Sequence, residues 1–398
     1  TRIDLDEVGY YGNRRVDAWV EQPLSWQGLS VSSGYRVGDG EFAPYDGKLA
    51  TRSLGEVRTA IQMPLLRNRD IDSRRGELAK ARIGQTLASL SVDQQKLAVL
   101  QSAVSRYWNW VGAGGRLRIT REALGVAEAR QKLLEEGVRA GQLAGIEATD
   151  NRRAILQRQS AVIEAERAFQ QSSIELSLFY RDSVGKPVVG IVDQVPVQWR
   201  DVPPPRLDAA AGELVALRKR PELARLQAQA EQNDVEVRMA RNATKPAIDL
   251  FAGFFSQGGS GSSVRRGPQE FKAGVSFDLS LQNRSARGKQ FAAEAKGRQF
   301  GVRIGFLQDQ IRAEVQDAML AARAAHERMN VLREEVQISR ELEEAERTRF
   351  ALGEGTLFVL NQREQATMDA AIREALAQAD YQRALATYEY ATGALLDP

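Results

Sequence analysis

The chain has no cysteine among its 398 residues. Disulfides, thiolate metal sites and cysteine nucleophiles are therefore excluded, and the absence suits an oxidising compartment. It has a single histidine, His326. A site of convergent His, Cys and carboxylate groups has almost nothing to draw on, and the acidic residues are scattered along helix faces in mixed-sign patterns, so no enzyme and no cofactor is expected. No run of 18 apolar residues occurs, which excludes a transmembrane helix. A net charge of +3 is small for this length, and no basic block stands out, which speaks against nucleic acid. The glycine-rich stretches SGYRVGDGEF and GGSGS are followed by no Lys-Ser/Thr and open no helix, so they are loops at strand ends rather than phosphate cradles. No signal peptide opens the chain at Thr1.

Proline is missing from two long stretches, residues 70–136 and 285–350, both rich in Ala, Leu, Gln, Arg and Glu. These are good helix formers, and about 67 residues of helix would span about 100 Å. Helices of such length belong to coiled coils, helical repeats or membrane-associated structures. The cluster GAGG at residues 112–115 predicts a kink or break in the first arm, because each glycine costs up to ~1 kcal/mol relative to alanine. Trp108 and Trp110 stand beside it as packing residues. The second arm carries Met329, Leu332, Val336 and Ser339 at 3-4-3 spacing, a coiled-coil seam.

Each arm is followed by a glycine-bearing break and a shorter return helix. The breaks are RAGQLAGIEATDN (139–151) and FALGEGTLFVLNQ (350–362). The return helices carry Ala165, Phe169, Ser172, Leu176 and Phe179 in one case, and Ala377, Tyr381, Ala384, Tyr388 and Ala391 in the other, each at 4-3-4-3 spacing. The two halves superpose at an offset of 212 residues: Arg116 pairs with Arg328, Arg121 with Arg333, Glu122 with Glu334 and Gly141 with Gly353. An internal duplication governs the fold more than any local motif does.

Before each arm lies a strand-like alternation, and at Pro246 the apolar period changes from near four to two. In FKAGVSFDLSL, Phe271, Ala273, Val275, Phe277 and Leu279 alternate with polar or small residues, and VRTAIQMPL (57–65) and PAIDLFAGFF (246–255) behave alike. Such alternation marks strands with one apolar face, and about ten residues suit a tilted membrane-spanning strand. Two further alternating runs, RVDAWVEQPL (15–24) and GLSVSSGYRV (28–37), form either an extra pair of barrel strands or an extracellular hairpin. The aromatics Tyr10, Tyr11, Trp19, Trp26, Tyr35, Phe251, Phe254, Phe255, Phe271 and Phe277 cluster in these segments, as they do at the lipid interfaces of outer-membrane barrels. Because such a strand shows lipid only every second residue, a mean hydropathy of -0.40 is compatible with a membrane protein.

The order of these pieces resembles the TolC-like outer-membrane efflux and export proteins over nearly the whole chain. The resemblance rests on KRPELARLQAQAEQNDVEVRMARNATKPAIDLFAGF (219–254), FDLSLQNRSARGKQFAAEAKGR (277–298) and RTRFALGEGTLFVLNQREQATMDAA (347–371). It implies an α+β membrane protein: a homotrimer whose strands form one shared β-barrel, continued by a long α-helical periplasmic tunnel. It further implies a passive exit duct in the outer membrane of a Gram-negative bacterium, serving a tripartite efflux pump or a type I secretion system. The partners would be a periplasmic membrane-fusion adaptor and an inner-membrane transporter of ABC, RND or MFS type.

On this resemblance residues 1–66 are the first β region, 67–182 the first arm and return helix, and 183–219 an equatorial linker. Residues 220–245 are a helix leading to the barrel, 246–281 the second β hairpin, 282–392 the second arm and return helix, and 393–398 the end. The adaptor-docking tips are Gly141, Leu143, Gly353, Thr356 and Leu357. The channel entrance falls at Glu147, Asp150, Val359 and Gln362, so the second tip departs from the family's acidic pattern. Glu147 and Asp150 equally suit an ordinary helix N-terminus. The alternative to the duct is a soluble coiled-coil scaffold or a periplasmic adaptor-like helical hairpin protein. Ile3-Asp4-Leu5 aligns with Ile248-Asp249-Leu250, so the duplication also predicts a helix before Thr1.

Overall fold

The computed structural model describes residues 12–24, 26–40, 42, 50–196, 207–261 and 267–396. The expected strand around Ile3 and the aromatics Tyr10 and Tyr11 lie outside the described residues. In chain order the elements are β1 (Asn13–Pro23), β2 (Ser30–Gly40), β3 (Glu56–Pro64), α1 (Ser73–Arg139), α2 (Gly145–Ser177), α3 (Ala209–Lys219), α4 (Pro221–Ala243), β4 (Ala247–Gln257), β5 (Gln269–Asp278), α5 (Arg284–Ala351) and α6 (Leu357–Thr392). They divide into two compact units, Thr1–Ala88 with Leu226–Ile304 and Ser89–Arg225 with Gly305–Pro398.

The first unit carries one antiparallel sheet in the order β1-β2-β3-β4-β5. Its middle pairing joins the two repeats: Ile61 of β3 stands opposite Ala252 of β4. Residues 13–40, open in the sequence between extra strands and a separate hairpin, belong to this sheet. β1 and β2 pair over their whole length, Asn13 with Gly40 and Pro23 with Ser30, so Ser33–Gly40, expected from its glycines as a loop, is itself strand, and β2 continues onto β3. Their turn lies at the end of β3 that leads into α1. Gly28, with φ +72°, sits so close to that junction that a Cβ would stand 2.4 Å from the Asn68 carbonyl oxygen, so a side chain there would clash. Arg74 Nη1 donates to Glu21 Oε1 at 2.9 Å at the same end.

The change from sheet to helix is capped. Asp72 Oδ1 accepts the Arg75 backbone N–H at 2.8 Å, and its Oδ2 accepts Arg75 Nε at 2.8 Å. This satisfies a donor that the first turn of α1 leaves unpaired. Arg75 Nη2 in turn donates to the Asn68 carbonyl at 2.6 Å. α4 starts at Pro221, whose fixed φ suits a first helical position. It packs closely on its neighbours: a Cβ at Gly76 would meet Met239 Sδ at 2.2 Å, and Asn233 Nδ2 donates to the Ala293 carbonyl at 3.1 Å.

The second unit is helical. α1 runs without a break through residues 112–115, so of the kink or break expected from GAGG the break is absent. The glycines are there for proximity. A Cβ at Gly114 would lie 2.5 Å from Val195 Cγ2, and one at Gly112 would lie 3.1 Å from Ala379 Cβ. Packing thus outweighs the ~1 kcal/mol propensity cost of each. Trp110, Val111, Leu117, Val162, Ala165, Phe169, Leu176 and Val195 form the core, with Trp110 Nε1 donating to Ser173 Oγ at 3.0 Å. Met329, Leu332, Ala377 and Tyr381 make a matching buried cluster between α5 and α6. Residues 209–219, placed in a linker by the sequence, form helix α3, capped by Asp208 Oδ1 on the Ala210 N–H at 2.9 Å.

Buried Arg220 joins α3, α4, α5 and α6. It donates to Glu222 Oε2 at 3.0 Å, to Glu314 Oε2 at 2.9 Å and to the Ala391 carbonyl at 3.2 Å, and its guanidinium lies 5.2 Å from the Tyr390 ring centroid. Burial works against its charge, but the two carboxylates outweigh that and raise its pKa above the usual arginine value.

Candidate functional site

The sheet in the first unit has two chemically distinct faces, set by the strict alternation of strand side chains. The register carries one row across all five strands: Val20, Ser33, Thr59, Phe254 and Phe271. Its neighbours on the same face include Val57, Ile61, Met63, Leu250, Val275 and Phe277. This face is unburied within the chain: Val20 is 73% exposed, Phe271 71%, Phe277 64% and Val275 63%. An apolar surface spread over five strands is far more than a water-facing sheet carries. Trp26, 60% exposed, stands at the α1 end of the sheet.

The opposite face is polar. Its rows read Asp17–Arg36–Glu56–Gln257, then Trp19–Gly34–Arg58–Phe255–Glu270, then Glu21–Ser32–Ala60–Gly253–Lys272. Its aromatic rings lie over glycine. The Phe251 ring comes within 2.7 Å of where a Cβ would stand on Gly274, and the Phe255 ring within 3.0 Å of the same point on Gly253. Glycine at those two positions lets the rings lie against the wall of the sheet.

In the second unit the two helix turns repeat each other bond for bond. The Gly141 N–H donates to the Val138 carbonyl at 3.1 Å and the Gln142 N–H to the Gly137 carbonyl at 2.9 Å. At an offset of 212 residues the Gly353 N–H donates to the Phe350 carbonyl at 3.1 Å and the Glu354 N–H to the Arg349 carbonyl at 2.9 Å. Gly141 and Gly353 hold φ of +70° and +78°, the left-handed stop that glycine adopts without penalty. Thr356 caps α6, its Oγ1 accepting the Val359 N–H at 3.4 Å. Leu143 is 38% exposed, whereas Leu357 is fully buried and holds its turn from inside. Its neighbours Leu352 and Phe358 are the exposed apolar residues there, 70% and 59%.

The expected entrance residues are partly brought together. Glu147, Asp150, Thr356 and Phe358 line a cleft of about 500 Å³ between the starts of α2 and α6. Asp150 is already engaged, accepting Asn361 Nδ2 at 3.2 Å and pairing with Arg153 at 3.0 Å. Val359 is half-buried and Gln362 exposed, both in the first turns of α6. Among the described residues no group of three or more His, Asp or Glu side chains is placed to hold a metal.

Behind this cleft lies a charged cluster that the sequence did not single out. Glu364 of α6, 6% exposed, accepts Arg158 Nη2 of α2 at 2.8 Å and a hydrogen bond from Arg130 of α1. Arg130 also donates to Asn361 Oδ1 at 2.8 Å, and Arg158 Nη1 donates to the Ala123 carbonyl at 3.0 Å. The signal was present: Ile155, Arg158, Val162 and Ala165 follow one 3-4-3 seam, so Arg158 stands where an apolar residue belongs.

Comparison with known proteins comes to the same fold. Residues 215–394 match a family described as outer membrane efflux protein. No curated protein matches the chain in sequence. Among solved structures, the outer-membrane channel OprN is similar at a TM-score of 0.66 and 17% identity, over 98% of this chain and 82% of that one. The CmeC outer membrane channel of Campylobacter jejuni is similar at 0.64 and 14%, over 96% and 78%. The outer membrane protein VceC of Vibrio cholerae is similar at 0.64 and 15%, over 98% and 88%.

Proposed function

We propose, from the premise that this chain is a TolC-like outer-membrane efflux protein, that it is one protomer of a homotrimeric exit duct conducting substrates passively out of the periplasm. The observation that carries this reading is the two-faced sheet. Its exposed apolar face is suited to lipid and its polar face to a water-filled interior. An open sheet edge cannot persist in hydrocarbon, so β1 and β5, the outer strands of the described sheet, need partners, and closure with further copies of the chain supplies them. No helix among the described residues is long and apolar enough to cross a membrane.

The helical hairpins then serve as tunnel wall. The turns at Gly141 and Gly353, with Leu143, Leu352 and Phe358 exposed beside them, are the surface offered to a periplasmic adaptor, with Thr356 and buried Leu357 holding the second turn in shape. An inner-membrane transporter supplies the energy and the choice of cargo. At the entrance Asp150 is partly neutralised by Arg153, which leaves Glu147 as the carboxylate that sets local charge; three copies around an axis favour cations over anions. Val359 and Gln362 contribute an uncharged rim.

Reconstitution of the purified protein into planar bilayers tests the reading. Stepwise trimer conductance is expected, with weaker cation preference in Glu147→Gln. A folded trimer that carries no current, or a protein recovered without detergent in the soluble fraction, would overturn it in favour of a coiled-coil scaffold.

A further inference from the structure

We propose that the polar face of the sheet holds a binding site for aromatic anions, a carboxylate or sulfonate carried on a flat ring. The site rests on the assignment of this face to the interior of the duct, where a passing solute would meet it.

Three guanidiniums converge on one carboxylate. Arg36 Nε donates to Asp17 Oδ1 at 2.6 Å, Arg58 Nη2 donates to the same oxygen at 3.1 Å, and Arg15 bonds Asp17 Oδ2. The other carboxylate within reach, Glu56, is 4.0 Å from Arg36 Nη1, almost fully buried, and accepts Gln257 Nε2 at 3.3 Å. Within this cluster the three arginines Arg15, Arg36 and Arg58 therefore face two carboxylates, Asp17 and Glu56. An ion pair tying β1 to β2 needs one arginine, and Arg36 supplies it. Arg15 and Arg58 add like charge to the same patch, which is unfavourable without a further anion. Each contact to Asp17 uses one of a guanidinium's five N–H groups, and Arg15 and Arg58 keep 45% and 26% of their side chains exposed.

Beside the arginines the sheet leaves a cavity of about 360 Å³ on this face, a volume suited to a small ligand. Its floor is made of small residues, Gly34, Ser32 and Ala60. Nothing larger fits at position 34, where a Cβ would lie 2.7 Å from Trp19 Cβ. Its sides are Trp19, 63% exposed, and Phe255, in the same cross-strand row as Arg58. Lys272 Nζ, paired with Glu270 at 3.2 Å, lies 5.0 Å from the Phe255 ring centroid at that side and adds no net charge. The arrangement offers planar, bidentate-capable donors for an oxyanion and aromatic faces for the ring that carries it.

Calorimetric titration of the purified full chain in detergent with 1-naphthoate, and with neutral 1-naphthylmethanol, tests the site without requiring conduction. Naphthoate is expected to bind about tenfold tighter or better than the alcohol, and Arg58→Gln to lower its affinity by about ten- to a hundredfold, the scale of hydrogen bonds to charged groups. Arg58→Lys, which keeps the charge but loses the fork, should fall between. If Arg58→Gln fails to give a folded trimer, Arg15→Gln, on the more exposed guanidinium, is measured instead. Equal binding of the two probes, or an unchanged affinity in a folded arginine variant, overturns the proposal. Naphthoate binding by a trimer that carries no current would keep the site and reject the duct; conductance without such binding would do the reverse.

Discussion

Arg158 Nη2 donates to Glu364 Oε2 at 2.8 Å between α2 and α6, with both side chains almost fully buried. The pair joins the return helix of the first repeat to that of the second, and Arg130 brings α1 to the same carboxylate. Removing one partner of a buried ion pair strands the others. Glu364→Gln is therefore expected to destabilise the helical unit by about 3–5 kcal/mol. Replacing all three members by apolar residues, Arg130→Met, Arg158→Met and Glu364→Leu, should recover most of that loss, because no charge is then left buried alone. Thermal or denaturant unfolding of the two variants decides it. A triple variant no more stable than Glu364→Gln would show that the cluster matters for more than its charge balance.

The assignment of the two sheet faces has a paired test in adjacent residues of β5. Val275 points to the apolar face and Ser276 to the polar one. Val275→Arg is expected to cost about 2–4 kcal/mol in a bilayer if it lies near the midplane, while Ser276→Arg costs little. Folding efficiency into lipid vesicles, read by heat-modifiable mobility of the trimer, measures the difference. Equal effects of the two changes would remove the basis for a lipid-facing side.

A side chain at Gly274 has to displace the Phe251 ring, which occupies the space a Cβ would take. Gly274→Val should leave the strand formed, since valine suits β structure better than glycine does. It should push the ring off the wall and lower single-channel conductance. Restored conductance in the double variant Gly274→Val with Phe251→Ala would confirm the route; unchanged conductance in the single variant would refute it.

The cap on α1 makes part of the stability depend on acid. Burial alone would raise the Asp72 pKa, but the Arg75 backbone N–H and guanidinium outweigh it and hold the carboxyl below its usual 3.8. A carboxyl depressed in the folded state adds stability that is present above the unfolded value and is lost as pH falls through the folded one. Asp72→Asn, which keeps the capping oxygen but loses the charge-assisted bond from Arg75, should therefore cost about 1 kcal/mol or less at neutral pH. The gap between variant and parent should close below about pH 3.8. Denaturant midpoints measured across that range give the answer.

Much of this molecule was written locally in the sequence. The switch from a four-residue to a two-residue apolar period placed β3, β4 and β5 to within a few residues, because period depends only on neighbours along the chain. The offset of 212 predicted a repeated turn, and the hydrogen bonds at Gly141 and Gly353 reproduce it, since both follow from the same glycine at the same helix position. Tertiary structure alone decided what depends on distant partners. GAGG looked like a break because propensity is a local quantity, while Val195 and Ala379, which need close approach there, are far along the chain. Residues 13–40 could have stood apart from the sheet until pairing with β3 fixed their place. Glu364 looked like one more helix-surface carboxylate until Arg130 and Arg158 arrived from two other helices. Asp17, likewise, gained its three arginines from strand register, which sets chemistry side by side that the sequence keeps up to 41 residues apart.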